Sequence, residues 1–392
     1  MPRIVISGYY GLGNTGDEAV LEGMVGSLRK EDPGVELSVL TADEDNARRL
    51  GLRPVPRKQY GAVARALLAS DLLLSGGGGL IQDSTGVGSV VYYLGIAAMA
   101  RLLGRPVMFY SQGFGPVRTG LGRLLVKLLA NRVHLITVRD EESAEGFRKA
   151  GVTRPPLRVT ADPALALEPA PPARIKDILK EEDLMEHVGR LEGPAGRHSE
   201  TGPLVAVTVR SWPGFGVDAV AEGLVRFADS EKARYLVMPF HPELDLAPSE
   251  KLCRELGGHA RLLQRERSPA EVAGILRCCD MVLGMRLHSL ILAAAGGVPF
   301  VGLSYDPKVE RFCRRAGAVP LNIEYLSSNE VAEALRHLLA GRAQARRQLR
   351  ARIESMVEMA RRTARAALCL SVGEAVPEAL RILDEPEGIE SR

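Results

Sequence analysis

Short runs of consecutive apolar residues alternate along the chain with longer stretches in which apolar residues recur every three or four positions. The runs Ile4–Ser7, Val35–Leu40, Asp71–Ser75, Val107–Tyr110 and His134–Val138 predict strands. The segments Glu18–Lys30, Asn46–Leu50, Val90–Leu103, Gly122–Ala130 and Glu141–Lys149 predict helices between and after them. Strands that are apolar throughout, without polar alternation, belong in a parallel sheet covered on both faces. The pattern breaks between 168 and 203. That stretch opens Pro-rich at Glu168–Pro172, turns rich in Gly, Pro and charge from 190 to 203, and holds one predicted helix, Ile175–Val188. It then restarts with strands at Leu204–Val209, Tyr235–Met238, Met281–Leu283 and Pro299–Gly302, and helices at Val217–Ser230, Ala270–Cys278 and Ser289–Ala295. Two more helices, Glu330–Leu339 and Gln344–Leu370, close the chain. The expected fold is α/β: two Rossmann-like domains facing a cleft, at 1–167 and 204–325, joined by a linker at 168–203 and followed by a helical tail at 326–392.

Composition narrows the function. A chain of 392 residues, 46% hydrophobic and 25% charged, suits two globular domains. Its 51 basic and 48 acidic residues leave a net charge of +3, too small to argue for nucleic acid, so any basic function must be local. The five cysteines form no CxxC pair and are odd in number, which argues against a disulfide framework or a zinc site and for a reducing compartment. No metal constellation stands out. No run of about 18 apolar residues exists to span a membrane. The opening Met1–Gly8 reads as a strand rather than a signal peptide. A cytoplasmic protein is expected. The basic run Arg342, Arg346, Arg347, Arg350 and Arg352 reads first as a solvated helix face and second as a contact with acidic lipid at the inner face of the membrane.

In open α/β sheets ligands sit beyond the carboxyl ends of the strands, so the loops there matter most. The first is Gly8-Tyr9-Tyr10-Gly11-Leu12-Gly13-Asn14-Thr15-Gly16-Asp17-Glu18. It matches GxGxxG, weak on its own, and Asp17 and Glu18 at a helix start would repel a pyrophosphate. Asp17 is either a helix cap or a carboxylate that binds sugar hydroxyls or acts as a base. Asp71–Ser75 is followed by Gly76-Gly77-Gly78-Gly79-Leu80-Ile81-Gln82-Asp83. Four consecutive glycines have no packing value and a large entropy cost, so close approach of a ligand is expected there. Gln82 and Asp83 would present polar groups, although Asp83 also fits a helix cap. Ser111-Gln112-Gly113-Phe114-Gly115-Pro116 is a further glycine-rich turn, and Arg139 ends the next strand, suited to an anion or to a surface pair with Asp140.

The second half holds the most specific segment, Gly284-Met285-Arg286-Leu287-His288-Ser289-Leu290. Arg286 and His288, two apart in extended backbone, would project the same way beside a helix N-terminus, where an anion is favoured by guanidinium, dipole and free N–H groups. His288 fits a general acid or base, while His241 at another strand end ranks second. Lys308 falls in the next loop, Ser304-Tyr305-Asp306-Pro307-Lys308.

The segments GYYGLGNTGDEA, GGGGLIQD, TVRDEES and MRLHSLILAAAGGVPFVGLSYDPKV, in that order, resemble the polysaccharide pyruvyl transferases of the CsaB type over about residues 1–320. The resemblance implies a GT-B-like architecture and transfer of pyruvate from phosphoenolpyruvate to a sugar as a 4,6-ketal. The implied acceptor is a lipid-linked unit containing N-acetylmannosamine, whose polymer anchors S-layer proteins. The family's essential basic residues map to Arg139, Arg286, His288 and Lys308, with Leu287 between two of them, as the phosphoenolpyruvate site. His288, with Asp17 or Asp83, would be catalytic; Asn14, Gly78, Gly79 and Gln82 would face the acceptor. No cofactor is expected, since phosphoenolpyruvate is a substrate. The competing readings are a nucleotide-sugar glycosyltransferase of the same architecture, a nicotinamide oxidoreductase, which only the GxGxxG match supports, and a non-catalytic sugar-binding wall-assembly protein.

Overall fold

The computed structural model describes residues 1–83, 86–188 and 202–385. It forms two compact units. The first comprises Met1–Leu12, Asp17–Leu167 and the C-terminal part from Ser355; the second comprises Gly13–Gly16 and Glu168–Glu354. Each unit is α/β and built on one parallel sheet.

The first sheet has seven strands, β1 (Arg3–Ser7), β2 (Glu36–Thr41), β3 (Arg53–Pro56), β4 (Leu72–Ile81), β5 (Val107–Phe114), β6 (Leu135–Val138) and β7 (Leu157–Val159). Their order is β3-β2-β1-β4-β5-β6-β7, all parallel. Side chains alternate between two cores. Ile4, Ile6, Leu72, Leu74, Met108, Tyr110 and Leu135 face one. Val5, Leu73, Val107, Phe109 and Ile136 face the other. Both faces are buried, so no polar alternation was visible in these strands. The first core also takes Ala364, Ala367 and Leu370 from the long helix Arg342–Ser371. Its apolar spacing thus serves the sheet of the first unit, far away in sequence.

The second sheet has six strands, β8 (Leu204–Thr208), β9 (Arg234–Val237), β10 (Ala260–Leu262), β11 (Met281–Gly284), β12 (Phe300–Ser304) and β13 (Val319–Asn322). Their order is β10-β9-β8-β11-β12-β13, again all parallel. One face packs Val205, Val207, Tyr235, Leu283, Val301 and Leu303 against helices Asp218–Glu231 and Ser328–Ala340. On the other, Gly284 and Gly302 let helices approach closely: added Cβ atoms would stand 2.4 Å from Leu290 Cδ2 and 2.4 Å from Cys313 Sγ. Helices Pro172–Glu181 and Met185–Val188, within the stretch 168–203, belong to this unit, and Ile175 packs over Gly274. Residues 189–201 lie outside the described residues.

The order of both sheets reverses once, between β1 and β4 and between β8 and β11. Such a reversal leaves a crevice at the carboxyl ends of the two strands that flank it. The loops after β1 and β4, and after β8 and β11, are therefore the places where each unit is built to hold a ligand.

The basic run of the tail is solvated in part: Arg347, Arg350 and Arg352 are exposed, while Arg342 and Arg346 are half-buried. Arg342 forms an ion pair with the buried Asp280, and the guanidiniums of Arg350 and Arg352 pack over Gly297 and Gly317.

Candidate active site

In the first unit β4 does not end at Ser75 but continues through the glycines to Ile81, with a register shift between Gly78 and Ile81. The first two glycines do have packing value. A Cβ on Gly76 would stand 2.6 Å from the Tyr10 hydroxyl and 2.7 Å from Met24 Cε, and one on Gly77 2.7 Å from Val20 Cγ1. They admit the helix Thr15–Glu31 against the strand. Gly78 has φ +95° and faces Asp17, whose Oδ1 lies 3.0 Å from where its Cβ would be; Gly79 has nothing within 4 Å of that position. Of the four glycines only Gly79 is exposed.

Asp17 does not supply the cap of that helix. Asn14 does, its Oδ1 accepting from the Gly16 N–H at 3.1 Å. Glu18 holds the loop instead: its carboxylate accepts from the Gly11 N–H at 2.6 Å and from Asn46 Nδ2 at 3.2 Å. Burial pushes its pKa up to about 7, opposed by the Gly11 hydrogen bond.

Arg139 is largely buried, its side chain 10% exposed, and donates from Nη1 to Asp162 Oδ2 at 3.0 Å, with Asp140 at 3.7 Å. Burial works against its charge, yet Asp162, Asp140 and Asp17 outweigh that and hold its pKa above the usual value. Asp140 caps the helix Glu141–Lys149 through the Ser143 N–H. Arg139 Nη2 and the Gly78 carbonyl each lie 3.0 Å from where a Gly113 Cβ would stand, so Asp17, Gly78 and Arg139 come together. Gln112 completes this cluster. It is fully buried, and its Nε2 donates to the Gly78 carbonyl at 2.8 Å and the Gly113 carbonyl at 3.0 Å. Its Oε1 is buried without a hydrogen-bond partner among the described residues. Ser111, at φ +47°, turns the strand just before it. A positive φ at a non-glycine residue was the feature that could mark this spot, and it is invisible in sequence.

Asp83 lies elsewhere. Its carboxylate accepts from Arg118 N (2.8 Å), Thr119 N (2.7 Å) and Thr119 Oγ1 (2.7 Å). The Thr119 hydroxyl leads these bonds in holding its pKa below the usual carboxylate range. They tie the 117–119 loop to the end of β4. Gln82 precedes it, against Gly115.

In the second unit the helix after β11 starts at Leu287, so His288 sits in its first turn and Arg286 is the N-cap residue. The two are therefore not aligned by extended backbone. Arg286 is 8% exposed and turns to Asp245, which is 0% exposed. Its Nε lies 3.0 and 2.9 Å from the two Asp245 oxygens, and Nη2 also donates to Oδ1. Asp245 Oδ2 further accepts the N–H groups of Phe240 (2.9 Å) and His241 (3.0 Å). Leu287 is buried. His288 is half-buried, its Nδ1 2.2 Å from where a Cβ on Gly16 would stand. Lys308 lies in the first turn of helix Pro307–Ala316, capped by Asp306, with its Nζ 3.5 Å from Asp306 Oδ2 and 5.7 Å from the Tyr305 ring centroid. Thus Arg286, Leu287 and His288 share one turn after β11, and Lys308 follows the neighbouring strand β12.

The model of the polysaccharide pyruvyl transferase family matches residues 14–307, which include these loops except the start of the first and Lys308 at the end of the last. The chain belongs to this family. No curated protein sequence matches it significantly. Solved structures share its fold at low identity. HepE from Anabaena, in complex with UDP and glucose, aligns at TM-score 0.58 and 13% identity over 97% of this chain and 99% of its own. The UDP-GlcNAc 2-epimerase from Neisseria meningitidis, bound to UDP-GlcNAc, aligns at 0.60 and 11% over 95% and 100%. A UDP-glucosyltransferase from Polygonum tinctorium aligns at 0.59 and 10% over 95% and 99%. The GT-B-like, Rossmann-like fold expected for a polysaccharide pyruvyl transferase is therefore present. Among the described residues no helix is long and apolar enough to cross a membrane.

Proposed function

We propose that this polysaccharide pyruvyl transferase moves pyruvate from phosphoenolpyruvate onto two hydroxyls of a cell-wall sugar as a 4,6-ketal. The acceptor we assign is that of the CsaB type, a lipid-linked unit containing N-acetylmannosamine. The carrying observation is the basic carboxyl edge of the second sheet, where Arg286, His288 and Lys308 follow adjacent strands. A donor with a carboxylate and a phosphate on three carbons needs several cations in one place, and guanidinium suits bidentate anion recognition.

In this reading a proton is added at the methylene carbon of phosphoenolpyruvate, leaving an oxocarbenium-like C2. One sugar hydroxyl attacks C2 and gives up its proton. The C2–O bond to phosphate breaks, phosphate departs, and the second hydroxyl closes the ketal as its proton leaves. Two hydroxyl protons are released; one replaces that added to carbon and one ends on phosphate. His288 is our acid, and Asp17 our acceptor of hydroxyl protons. Asp83, occupied by the 118–119 backbone, is assigned to holding that loop. Arg139, already paired with Asp162, is assigned to orienting the carboxylates around the acceptor. Gly79 and Gln82 would line the sugar's approach, with Gln112 holding the Gly78 carbonyl behind them. We expect turnover without an added cofactor or metal.

The test is to incubate the protein with phosphoenolpyruvate and a synthetic N-acetylmannosamine acceptor, measuring phosphate release and acceptor mass, with His288→Ala as control. A mass gain matching the ketal, reduced about 10²- to 10⁴-fold in rate by the substitution, supports the reading. A second reading is favoured by the UDP-bound structures of the same fold: a nucleotide-sugar glycosyltransferase. Thermal stabilisation by UDP and not by phosphoenolpyruvate would select it. Acceptor binding with no phosphate release would indicate a non-catalytic wall-assembly protein.

A further inference from the structure

Arg210 follows β8, the strand that flanks the sheet reversal opposite β11. Its guanidinium carbon stands 5.2 Å from the Trp212 ring centroid and 5.0 Å from that of Tyr305. The two rings meet edge to face at 4.6 Å. Nη1 donates to the Tyr305 hydroxyl at 3.1 Å, and the Nε contact to the Ser211 carbonyl is long, at 3.4 Å. The other strand-end cations of the family site all have carboxylates: Arg139 has Asp162, Arg286 has Asp245 and Lys308 has Asp306. Among the described residues, no carboxylate pairs with Arg210. It is half-buried, and the two aromatic rings attract and hold its guanidinium, whose planar fork suits bidentate contact with an anion. Beside it, His241 Nδ1 is buried without a hydrogen-bond partner, and burial, with Arg286 and Arg210 contributing, lowers that ring's pKa. Arg210 and Arg286 therefore both act on the same neutral imidazole.

We propose that Arg210, clamped by Trp212 and Tyr305, is the second anion-binding guanidinium of this edge and takes the phosphate or carboxylate of the donor, with His241 as a hydrogen-bonding partner. This rests on the donor reading above. Arg286, half-neutralised by Asp245, supplies a fixed fork; Arg210 supplies the uncompensated charge.

Trp212 is the chain's single tryptophan, so its emission reports on this spot. Phosphoenolpyruvate, and separately inorganic phosphate, is titrated into the full-length protein, followed by Trp212 fluorescence and in parallel by calorimetry. The wild type should give a saturable emission change. Arg210→Ala should weaken phosphoenolpyruvate binding on the order of 10- to 100-fold, the worth of a charged hydrogen-bonded contact, and Arg210→Lys should fall between. Tyr305→Phe, which removes only the hydroxyl that fixes Nη1, should weaken it about threefold and guards against a misfolded alanine variant. Wild-type binding with unchanged affinity in Arg210→Ala and Arg210→Lys would overturn the role of Arg210 and leave the donor reading standing. A wild type that binds neither ligand by calorimetry would overturn both.

Discussion

Asp245 is the sharpest place to test how the second unit prepares its site. It is completely buried, yet it carries a carboxylate that accepts from Arg286 and from two backbone N–H groups. Replacing it by Asn keeps an oxygen for the Phe240 and His241 N–H groups but leaves Arg286 buried without its counter-charge. Breaking one side of a buried pair costs about 3–5 kcal/mol. Arg286→Met should cost somewhat less, because the abandoned carboxylate can take up a proton. The double variant, with neither charge, should lie within about 2 kcal/mol of the wild type, so the coupling energy should be at least about 3 kcal/mol. Urea unfolding followed through Trp212 reads the unit that holds the pair. Phosphoenolpyruvate affinity, measured on the same proteins, should fall in Asp245→Asn although the edge has gained a positive charge, because the guanidinium fork is no longer fixed. Additivity of the two single variants within about 0.5 kcal/mol would refute the reasoning: Asp245 and Arg286 would then be independent, and the fork would not be prepared by burial.

Three more outcomes follow from the first unit. Glu18, with its pKa raised to about 7, binds a proton in the folded state at pH values where the unfolded chain has lost it, so stability should fall as pH rises from about 4.5 to 7 and then level off. Glu18→Gln should flatten that slope and stabilise the protein at pH 8 by up to about 3 kcal/mol, measured by denaturant midpoints across pH; an unchanged slope would dismiss the burial argument. Gly76→Ala should lower stability by about 1–3 kcal/mol through contact with Tyr10 and Met24, while Gly79→Ala should leave the melting temperature nearly unchanged and weaken acceptor binding. Asp83→Asn should cost about 1–3 kcal/mol of stability and spare most turnover, whereas Asp17→Asn should spare stability and reduce turnover about 10²-fold or more; the reverse pattern in stability and rate assays would exchange their roles.

The central strands were legible because burial on both faces makes them plain apolar runs: IVIS, DLLLS and HLITV could hardly be anything else. The edge strands β3, β7, β10 and β13 were not. They run three or four residues, are only partly buried, and two of them carry proline, which an edge strand tolerates and a central one does not. The helix Pro242–Leu256 also escaped notice, since Pro248 interrupts its interior and its acidic first turn reads as solvated. Asp245 lies in that first turn, and its burial depends on Arg286, 41 residues later. Asp162, Gln112 and Arg210 escaped for the same kind of reason. Each is unremarked among its sequence neighbours, and its meaning lies in a partner on another strand: Arg139, Gly78 and Tyr305 respectively. Sequence reading finds residues whose local motif is unusual; it does not find the ordinary residue that a sheet brings beside them.

Those partners also separate the two carboxyl edges by charge. Around Arg139 stand Asp162, Asp140 and Asp17, so the first edge presents more carboxylate than guanidinium. At the second, Arg210, Arg286 and Lys308 face Asp245 and Asp306, and Arg210 has no carboxylate among the described residues. On our donor reading, an anion such as phosphoenolpyruvate should be disfavoured by the first arrangement and favoured by the second. Sugar hydroxyls, as hydrogen-bond donors, are served best by carboxylates and carbonyls of the first. Arg139 has the same side-chain chemistry as Arg286 and Arg210, so residue type alone would send all three to the donor. What distinguishes Arg139 is three carboxylates acting on one guanidinium, and on that count we propose it as a brace for the acidic groups of the first unit rather than as a donor cation.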